Sequence, residues 1–301
     1  MDIYKELCRI VKQDNVLTDE LMCNHTTFRI GGKADYYVSP DSENEVASLI
    51  RFCETNKIRY HIHGNGSNVL FNDNGYRGVI ICIGSNLSEI AQNDNIIKAQ
   101  SGVLLAGLSV YAASKGLSGL EFASGIPGTL GGAVTMNAGA YGGEMKDVIE
   151  SVTVCDREGN VRVLNKDELC LGYRTSIIQK NELTVLSATL KLTEGDSDRI
   201  KAGMKELNNK RREKQPLEYG SAGSTFKRPE GYFAGKLIED SGLKGYRVGD
   251  AMVSEKHAGF VVNVGNATAE DVKTVMTHVQ EEVKKRYDVW LEPEVRIIQE
   301  G

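Results

Sequence analysis

The chain alternates between stretches of helical periodicity and short apolar runs, and its first strong signal follows Ser42. Ser42 and Glu45 have the spacing of a capping box. The apolar positions that follow lie three or four residues apart and predict an amphipathic helix, at Val46, Leu49, Ile50 and Cys53. Two apolar runs at 60–63 and 69–71 flank a glycine-rich stretch, which predicts a strand, a turn and a second strand.

From residue 78 onward, short runs rich in valine and isoleucine replace the helical pattern. Such runs, separated by turn residues, predict β-strands, at 78–83, 96–99, 151–155, 161–164 and 184–192. The polar turn residues at 156–160 predict that two of these strands form a hairpin. A predicted helix at 104–115 interrupts the series of strands.

The last third of the chain shows three further elements. Residues 197–214 are polar and helical in composition, and they predict a helix that bridges two domains. Thr268 and Asp271 open a helix with an apolar face, at Val272, Val275, Met276, Val279 and Val283. Residues 290–298 alternate like a strand, which predicts that three charged residues project from one face, namely Glu292, Glu294 and Arg296.

Composition and charge limit the class of protein. With 301 residues, of which 41% are hydrophobic and 26% charged, the chain has the composition of a globular protein with two or three structural units. The net charge of -5, with both signs mixed, gives no broad field that would attract nucleic acid or an anionic membrane. We therefore expect no nucleic-acid partner and no membrane partner, and we expect a monomer.

Six cysteines are scattered along the chain without a CxxC pair, at Cys8, Cys23, Cys53, Cys82, Cys155 and Cys170. This spacing predicts neither a disulfide framework nor a thiolate metal site, and it fits a reducing compartment. The five histidines also lack the spacing of a metal site, so we expect no metal. Residues 1–6 show no basic segment followed by an apolar one, so we expect an untargeted, cytoplasmic protein.

Two glycine-rich segments are candidates for binding a cofactor. Residues 64–68 offer successive backbone N–H groups, which suit a diphosphate, although an ordinary turn has the same composition. They lack the GxGxxG pattern of a dinucleotide-binding Rossmann domain. Residues 124–143 contain seven glycines, a density that either a large flat cofactor or a long structural loop would explain.

Polar residues near these segments are candidates for chemistry on an anionic substrate. Ser224 precedes two cations without the GxSxG pattern of a serine nucleophile, which favours a proton donor, although a solvated loop has the same composition. Arg174 is either a clamp for a carboxylate or an ordinary surface arginine. Glu294 and Arg296 on one face are equally consistent with a plain ion pair.

Taken together, seven segments resemble the UDP-N-acetylenolpyruvoylglucosamine reductase (MurB) family in order and spacing over nearly the whole chain, at 24–32, 64–68, 124–143, 172–174, 221–229, 256–260 and 291–296. The resemblance implies an α+β structure, with two subdomains in an FAD-binding fold of the vanillyl-alcohol oxidase type and a third, α+β substrate-binding domain. The implied boundaries are 1–84 completed by 289–301, then 85–203, and 204–288 for the substrate-binding domain. The tyrosine-bearing insertion of one branch of the family is absent, so the chain resembles the shorter, second type.

The resemblance also implies a reaction. The chain would use NADPH to reduce UDP-N-acetylglucosamine enolpyruvate to UDP-N-acetylmuramate through non-covalently bound FAD, in peptidoglycan precursor synthesis. Arg174 and Glu294 match the residues that act on the enolpyruvyl carboxylate, with Glu294 as a protonated acid, and Ser224 matches the proton donor. The residues implied in FAD binding are His63, Gly64, Asn65, Gly66, Ser67, Asn68, Ser124, Gly125, Ile126, Pro127, Gly128, Gly131, Gly132, Asn137, Gly139 and Tyr141. Those near the UDP part are Tyr173, Lys214, Lys227, Arg228, Lys236 and His257.

Two other functions stay open at this point. The first is a flavin oxidase of the same fold that acts on a sugar or a hydroxy acid, and His63 lies near the position where some such oxidases attach FAD covalently. The second is a non-catalytic sensor of sugar nucleotides, although a sensor would have no need of a proton donor such as Ser224.

Overall fold

The computed structural model describes residues 1–299, which form a mixed α+β structure. The α-helices are α1 (Ile3–Ile10), α2 (Glu43–Thr55), α3 (Leu105–Ser114), α4 (Leu130–Thr135), α5 (Ile177–Lys180), α6 (Ser197–Lys214), α7 (Ala234–Asp240) and α8 (Ala269–Tyr287). Short 3₁₀ helices lie at Gln13–Asn15, Met22–His25, Ser85–Leu87, Glu121–Ala123 and Met145–Asp147.

The strands are short and are distributed along the whole described chain. They are β1 (Val16–Leu21), β2 (Lys33–Val38), β3 (Tyr60–His63), β4 (Val69–Phe71), β5 (Tyr76–Cys82), β6 (Ile90–Asn93), β7 (Ile96–Gln100), β8 (Leu117–Ser118), β9 (Gly139–Ala140), β10 (Gly143–Glu144), β11 (Ile149–Cys155), β12 (Val161–Asn165), β13 (Thr184–Lys191), β14 (Thr193–Glu194), β15 (Arg247–Val248), β16 (Ala251–Val253), β17 (Val261–Asn263) and β18 (Arg296–Ile298). Two of the sheets are antiparallel pairs of two-residue strands, β8 with β14 and β9 with β10, and only the second pair is a hairpin.

The four predicted helices are confirmed as α2, α3, α6 and α8. The capping box predicted at Ser42 is only half correct. Ser42 Oγ accepts from the backbone N–H of Glu45 at 3.2 Å, but the Glu45 carboxylate accepts from Asp41 N at 2.6 Å instead of from Ser42. At the start of α8, Thr268 and Asp271 do accept from each other's backbone N–H groups, so that capping box is complete.

The strands predicted between residues 60 and 192 are confirmed as β3, β4, β5, β7, β11, β12 and β13. The predicted hairpin joins β11 and β12 and pairs Cys155 with Val161. Four of the seven, β7, β11, β12 and β13, join β6 in an antiparallel sheet in the order β12-β11-β13-β7-β6. A single apolar cluster contains buried residues of this sheet together with those of α3 and α4, among them Ile97, Leu108, Leu130 and Val152.

The strand predicted at 290–298 is wrong over most of its length, because only Arg296–Ile298 is a strand. β18 pairs in parallel with β4, with Arg296 opposite Val69. Before β18, Pro293 forms an isolated bridge with Phe226, and proline has no N–H with which to continue a ladder. The three charged residues expected on one strand face therefore do not belong to one strand.

The chain folds as two compact units, and unit 1 comprises residues 1–18, 36–65 and 78–211. It contains the five-stranded sheet and most of a four-stranded sheet in the order β1-β2-β5-β3, in which β3 and β5 run parallel. A second apolar cluster lies here and joins α1 and α2 to the four-stranded sheet through Leu7, Leu49 and Val79, which are fully buried.

Unit 2 comprises residues 19–35, 66–77 and the described chain from residue 212 onward. It contains an antiparallel sheet in the order β15-β16-β17 and the parallel pair of β4 with β18. The apolar face of α8 belongs to one cluster with residues from the two early segments, including Phe28 and Leu70. Distant parts of the sequence therefore share this core.

The predicted boundaries of three domains remain a prediction. Residues 300 and 301, at the end of the segment expected to complete the first subdomain, lie outside the described residues. No helix within residues 1–299 has both the length and the apolar character needed to cross a membrane.

Candidate active site

The first glycine-rich segment begins where β3 ends, so the strand fixes its starting point. His63, the last residue of β3, is 2% exposed. A Cβ atom on Gly64 would lie 2.6 Å from Thr129 Oγ1, closer than a real Cβ approaches another heavy atom. Asn65 Nδ2 donates to Pro127 O at 2.7 Å. The two glycine-rich segments thus contact each other within unit 1.

The remainder of the first glycine-rich segment belongs to unit 2. Gly66 has a φ of +62°, and a Cβ there would lie 2.1 Å from His25 O, so only glycine fits. Asn68 Nδ2 donates to Glu294 O at 3.3 Å, and Arg296 N donates to Asn68 O at 3.0 Å. Asn68 therefore holds the backbone on both sides of residue 295 in place.

The second glycine-rich segment, at 124–143, contains regular structure and is not a long loop. It includes α4 and the pair β9–β10, whose turn residues Tyr141 and Gly142 both have positive φ, as a tight hairpin requires. Several of its glycines would bring a Cβ within 3 Å of a protein atom, at Gly125, Gly131, Gly139 and Gly143. The glycine density therefore reflects packing within the protein as well as space for a ligand.

Arg174 lies in a loop whose backbone is fixed by hydrogen bonds. Its φ is +54°, a left-handed conformation that is uncommon for arginine. Asn137 Nδ2 donates to Gly172 O at 3.1 Å, and Gln179 Nε2 donates to Arg174 O at 3.2 Å. Asn137, expected to bind FAD, also donates to Glu144 Oε2 at 2.6 Å, so both N–H groups of its amide are used within the protein. Its side chain thus positions the Arg174 loop.

Arg211 is a residue that the sequence interpretation missed. Its side chain is 8% exposed, and among the described residues its Nε and Nη1 have no hydrogen-bond partner. Burial lowers the pKa of Arg211, an effect that Tyr141 partly offsets. A Cβ on Gly125 would lie 2.7 Å from Arg211 Nη1. The signal in the sequence was helical spacing, because Arg211 shares the buried side of α6 with Ile200 and Met204.

In unit 2, a short antiparallel pairing holds Ser224 near Glu294. Glu294 N donates to Thr225 O, and Lys227 N donates to Glu292 O, both at 2.8 Å. The side chains of Lys227 and Glu292 also form an ion pair at 3.1 Å. Because Ser224 directly precedes Thr225, the pairing places two predicted catalytic residues on neighbouring segments.

The other cations expected near the UDP part also lie in unit 2. Lys236 forms an exposed ion pair with Asp240 one turn along α7. Arg228 Cζ lies 3.9 Å from the centre of the Phe233 ring, a cation–π contact. Lys214, the last residue of α6, is exposed. Since exposed ion pairs contribute little free energy, Lys236 can exchange its carboxylate for a phosphate at low cost.

His257 carries a defined tautomer in unit 2. Gly259 N donates to His257 Nδ1 at 3.1 Å, so the neutral ring carries its proton on Nε2. Burial lowers the pKa of His257, and the positive charges of Lys244 and Lys214 lower it further. His257 therefore presents an uncharged N–H donor near neutral pH.

The residues of unit 1 fit the FAD that the resemblance implies. Nε and Nη1 of Arg211 are buried donors that have no hydrogen-bond partner among the described residues, so acceptor atoms of a ligand would satisfy them. The Tyr141 side chain, whose ring centre lies 5.9 Å from Arg211 Cζ, is part of a residue that is 44% exposed. A Cβ on Gly142 would meet no atom within 4 Å. A ligand with a planar ring and acceptor atoms satisfies these groups together.

The predicted site residues are divided between the two units. Unit 1 contains Tyr173 and Arg174 together with the implied FAD-binding residues at 63–65 and 124–141. Unit 2 contains 66–68, Ser224, Glu294 and the other implied substrate residues at Lys214, Lys227, Arg228, Lys236 and His257. Within the units, the structure brings Ser224 close to Glu294, and the Gly64 loop close to Thr129. The chemical roles of these residues remain predictions.

Two family models match the chain in its two halves. A model described as FAD binding domain matches residues 34–165. A model described as UDP-N-acetylenolpyruvoylglucosamine reductase, C-terminal domain, matches residues 215–298. The matches include both glycine-rich segments and the residues around Ser224 and Glu294.

Curated relatives and solved structures are similar over most of the chain. A UDP-N-acetylenolpyruvoylglucosamine reductase of Clostridium tetani (strain Massachusetts / E88) is 54% identical over 299 residues, which cover 99% of this chain and 97% of the relative. The crystal structure of UDP-N-acetylenolpyruvylglucosamine reductase from Thermus caldophilus is 38% identical, with a TM-score of 0.81, and the match covers 93% of this chain and 98% of that one. An alkyldihydroxyacetonephosphate synthase structure, 16% identical with a TM-score of 0.51, covers 64% of this chain and 40% of its own length, and is similar in fold alone.

Proposed function

The chain belongs to the UDP-N-acetylenolpyruvoylglucosamine reductase family, and on this premise we propose that it reduces UDP-N-acetylglucosamine enolpyruvate to UDP-N-acetylmuramate with NADPH. It is an FAD-dependent oxidoreductase of peptidoglycan precursor synthesis. The expected α+β fold, an FAD-binding fold of the vanillyl-alcohol oxidase type, is confirmed.

FAD, when bound, supplies the chemistry that takes a hydride from NADPH and passes it to the sugar nucleotide. We propose that the glycine-rich segments at 64–68 and 124–143 hold it. The N–H groups of the first segment suit the diphosphate, and the Gly64–Thr129 contact leaves no space there for a larger side chain. The exposed face of Tyr141 and the buried donors of Arg211 suit the ring system.

Arg174 binds the enolpyruvyl carboxylate in this proposal. Reduction of the enol ether adds a hydride to its terminal carbon, and negative charge then develops on the adjacent carbon and the carboxylate. A guanidinium that is fixed beforehand stabilises this charge as it forms. The hydrogen bonds of Asn137 and Gln179 fix the backbone of the loop from which the Arg174 side chain projects. Glu294, as a protonated acid, donates a hydrogen bond to the same carboxylate.

Ser224 delivers the proton that completes the reduction. The proton goes to the carbon next to the carboxylate, where the electron pair of the anionic intermediate forms the new C–H bond, and Ser224 is reprotonated from water. A hydroxyl is a weak acid, so the anion itself must drive the transfer. The next residue is firmly held, because Thr225 Oγ1 accepts from Val261 N at 2.8 Å and Thr225 is 1% exposed. This anchoring supports a fixed position for Ser224.

The UDP part is bound by the cations of unit 2 and by two neutral groups, Tyr173 and His257. Lys214, Lys227, Arg228 and Lys236 supply positive charge that the chain as a whole, at a net charge of -5, does not. His257 Nε2 adds a donor that stays uncharged. NADPH binds and leaves before the sugar nucleotide binds, which gives a ping-pong order.

We also propose a cytoplasmic monomer with no nucleic-acid partner. All six cysteines are free thiols, which supports a reducing compartment. The mixed, weakly negative charge supports the absence of a nucleic-acid partner.

One geometric observation carries the proposal. The pairing of residues 225–227 with 292–294 holds the predicted proton donor beside the predicted carboxylic acid. A chain that only sensed a sugar nucleotide would have no use for that pairing of a donor with an acid.

An anaerobic titration tests the proposed function. The purified protein is reduced with NADPH, and UDP-N-acetylglucosamine enolpyruvate is then added while the absorbance of oxidised flavin is followed. We expect the colour to return with one UDP-N-acetylmuramate formed per flavin. Colour that returned only after oxygen was admitted would indicate the flavin oxidase, and flavin that stayed with the acid-precipitated protein would contradict non-covalent binding.

A further inference from the structure

Residues 25–28 lie between the first glycine-rich segment and the segment that carries Ser224, and these parts of the chain all belong to unit 2. A Cβ on Gly66 would lie 2.1 Å from a carbonyl oxygen of this stretch, and a Cβ on Gly220 would lie 2.8 Å from Phe28 O. Backbone therefore approaches backbone on both sides, at distances that only glycine allows. The stretch is packed directly against both of its neighbours.

Thr27 is the residue that bonds this stretch to both neighbours. Its backbone N–H donates to Gly66 O, and its backbone carbonyl accepts from Ser221 N, both at 3.1 Å. Its hydroxyl oxygen lies 2.6 Å from Ser221 O and 3.4 Å from Gly66 O, so the single hydroxyl proton serves the nearer acceptor, Ser221 O. Ser221 thus exchanges two hydrogen bonds with one residue. Both use the backbone of Ser221, so they fix the path of the chain there.

Ser224 lies between two fixed points of the backbone. On one side, Thr27 holds Ser221. On the other side, Thr225 is buried and bonded through both its backbone and its hydroxyl. Between these points Gly223 has a φ of +78°, and a Cβ there would meet no atom of the described chain within 4 Å. Because glycine has wide conformational freedom, the position of Ser224 depends on both fixed points.

We propose that Thr27 is a positioning residue for reduction of the sugar nucleotide, because its hydroxyl holds the backbone from which Ser224 delivers its proton. The inference rests on the proposed function of Ser224 as the proton donor. Proton transfer requires the donor to be within hydrogen-bond reach of the receiving atom, so a small displacement of Ser224 slows it. The bond from Thr27 N to Gly66 O does not involve the side chain. Loss of the hydroxyl therefore spares the cofactor loop and affects the segment of the proton donor.

The two half-reactions of Thr27→Val test this role, since valine has nearly the shape of threonine without the hydroxyl. In anaerobic stopped-flow experiments we expect reduction of the sugar nucleotide to slow about tenfold or more. Reduction of FAD by NADPH and the affinity for FAD stay unchanged. Thr27→Ser keeps the hydroxyl and restores the rate. Thr26→Val is the control and keeps the full rate, because the buried Thr26 hydroxyl is bonded within its own turn, to the backbone of Ile30.

A double variant distinguishes positioning from a general weakening of the enzyme. If Thr27 acts through Ser224, adding Thr27→Val to Ser224→Ala slows the sugar half-reaction no further than Ser224→Ala alone, in a double-mutant cycle. The solvent deuterium isotope effect on this half-reaction also rises in Thr27→Val, because transfer of the exchangeable hydroxyl proton limits the rate more. Rate losses that simply multiply in the double variant overturn the proposal.

Thermal unfolding identifies a purely structural role. Thr27→Ala removes the hydroxyl with a smaller side chain, so it provides a second variant if Thr27→Val does not fold. A lower Tm with unaltered half-reactions in these variants overturns the proposal. If Ser224→Ala keeps its turnover of the sugar nucleotide, the proposed function of Ser224 fails. If Ser224→Ala loses that turnover while Thr27→Val and Thr27→Ala keep it, this inference alone fails.

Discussion

At the scale of single residues, Ser224 and Thr225 show how neighbouring hydroxyls can serve different purposes. Thr225 is buried, and its Oγ1 accepts from Val261 N, so its hydroxyl is part of the fold. Ser224 is half-buried and precedes the pairing with 292–294. A structural hydroxyl at one position thus fixes the backbone from which the hydroxyl of the proposed proton donor, Ser224, projects.

Ser224→Ala tests the proton donor directly. We expect reduction of the sugar nucleotide to slow by about 10²-fold or more, because a positioned proton donor is lost, while reduction of FAD by NADPH is unaffected. The two half-reactions are followed separately by anaerobic stopped-flow absorbance. Ser221→Ala, the same change three residues earlier, serves as the control. Turnover of Ser224→Ala within threefold of the unaltered enzyme would contradict the role.

The lowered pKa of His257 predicts that the protein loses stability in acid. Its pKa is lowered from the ordinary 6.5 by burial, with further lowering by Lys244 and Lys214 and an opposing effect of Glu239. At pH values between the lowered pKa and the ordinary 6.5, the unfolded chain therefore binds a proton that the native state does not. The free energy of unfolding falls as the pH decreases through this window. We expect His257→Gln to lose less stability between pH 7.5 and 5.5 than the unaltered protein, measured as the change in Tm. His278→Gln should keep the full loss, and an equal loss in both variants would be evidence against this account.

Residue-scale prediction from the sequence succeeded where a residue carries a local signal. Gly66, with its positive φ and its contact with His25 O, is glycine for a reason that the motif already indicated. Arg211 was missed because its sequence context, a run of charged residues, is typical of a solvated helix face. Only its spacing from Ile200 and Met204 showed that it belongs to the buried side. A buried charge is decided by tertiary packing, which composition does not reveal.

At the scale of elements, α8 is stabilised at its start by two sources. Its own capping box joins Thr268 and Asp271. In addition, the carboxylate of Asp73 accepts from Ala269 N at 2.8 Å and from Glu270 N at 3.3 Å. A negative charge at a helix N-terminus satisfies free N–H groups and interacts favourably with the helix dipole. The loop after β4 and the helix α8 thus depend on each other.

Asp73→Ala should lower the free energy of unfolding by about 1 kcal/mol, the usual contribution of a cap. Asp73→Asn keeps one of the two acceptor oxygens but loses the charge, so it should cost less. Urea unfolding followed by circular dichroism measures both. A cost for Asp73→Asn equal to that for Asp73→Ala would contradict this expectation, because one uncharged acceptor would then contribute nothing to the cap.

The contact between Gly64 and Thr129 predicts that substitutions at these two positions are coupled in their effect on stability. A methyl group on residue 64 would collide with Thr129 Oγ1, so Gly64→Ala should cost about 1–3 kcal/mol of stability. Thr129→Ala removes the colliding atom, and the remaining Thr129 atoms lie at an ordinary 3.7 Å. We therefore expect the double variant to be more stable than Gly64→Ala alone, in a thermodynamic cycle. If the stability costs of Gly64→Ala and Thr129→Ala simply added in the double variant, the collision would be excluded as the cause of the lower stability of Gly64→Ala.

Element-scale prediction worked best for long, periodic segments. The range of α8 follows from its cap and apolar spacing, that of α6 follows from its helical composition, and the β11–β12 hairpin follows from its turn residues. The strand at 290–298 was overestimated because alternation of polar and apolar residues also occurs in a segment that makes only isolated pairings. There Pro293 interrupts the ladder, and the backbone partners come from residues 225–227. Such long-range partners cannot be read from a local pattern.

At the scale of the whole molecule, the α+β class and the FAD-binding fold were predictable because several segments carry family motifs in order. The assignment of chain segments to the two units was not predictable from the sequence. Residues 19–35 and 66–77 belong to unit 2 although more than 130 residues of chain separate them from the rest of it, which begins at residue 212. No local signal in those segments indicates their distant partners, because their apolar residues, such as Phe28 and Leu70, read as ordinary core positions.

A shortened chain tests whether residues 19–35 and 66–77 depend on the later part of unit 2. A variant that ends at residue 211 lacks α7, α8 and β18 but keeps Phe28, Ile30 and Leu70, which are buried in the core of unit 2. Since these side chains would lose their covering, we expect the shortened chain to aggregate or to bind a hydrophobic dye, measured by light scattering and dye fluorescence. A monomeric shortened chain without dye binding would show that residues 1–211 fold without the later part of unit 2.

The assembly of unit 2 from segments that are far apart in sequence has a consequence for synthesis on the ribosome. Residues 19–35 and 66–77 emerge early, but α8 and β18, which complete their core, are among the last parts to be translated. At about 5–20 residues per second, the early segments wait on the order of ten seconds or more for their partners. During that interval the nascent chain exposes apolar surface that can aggregate. We therefore expect the folding of this protein to depend more on chaperones that shield such surface than the folding of a protein whose units are continuous in sequence.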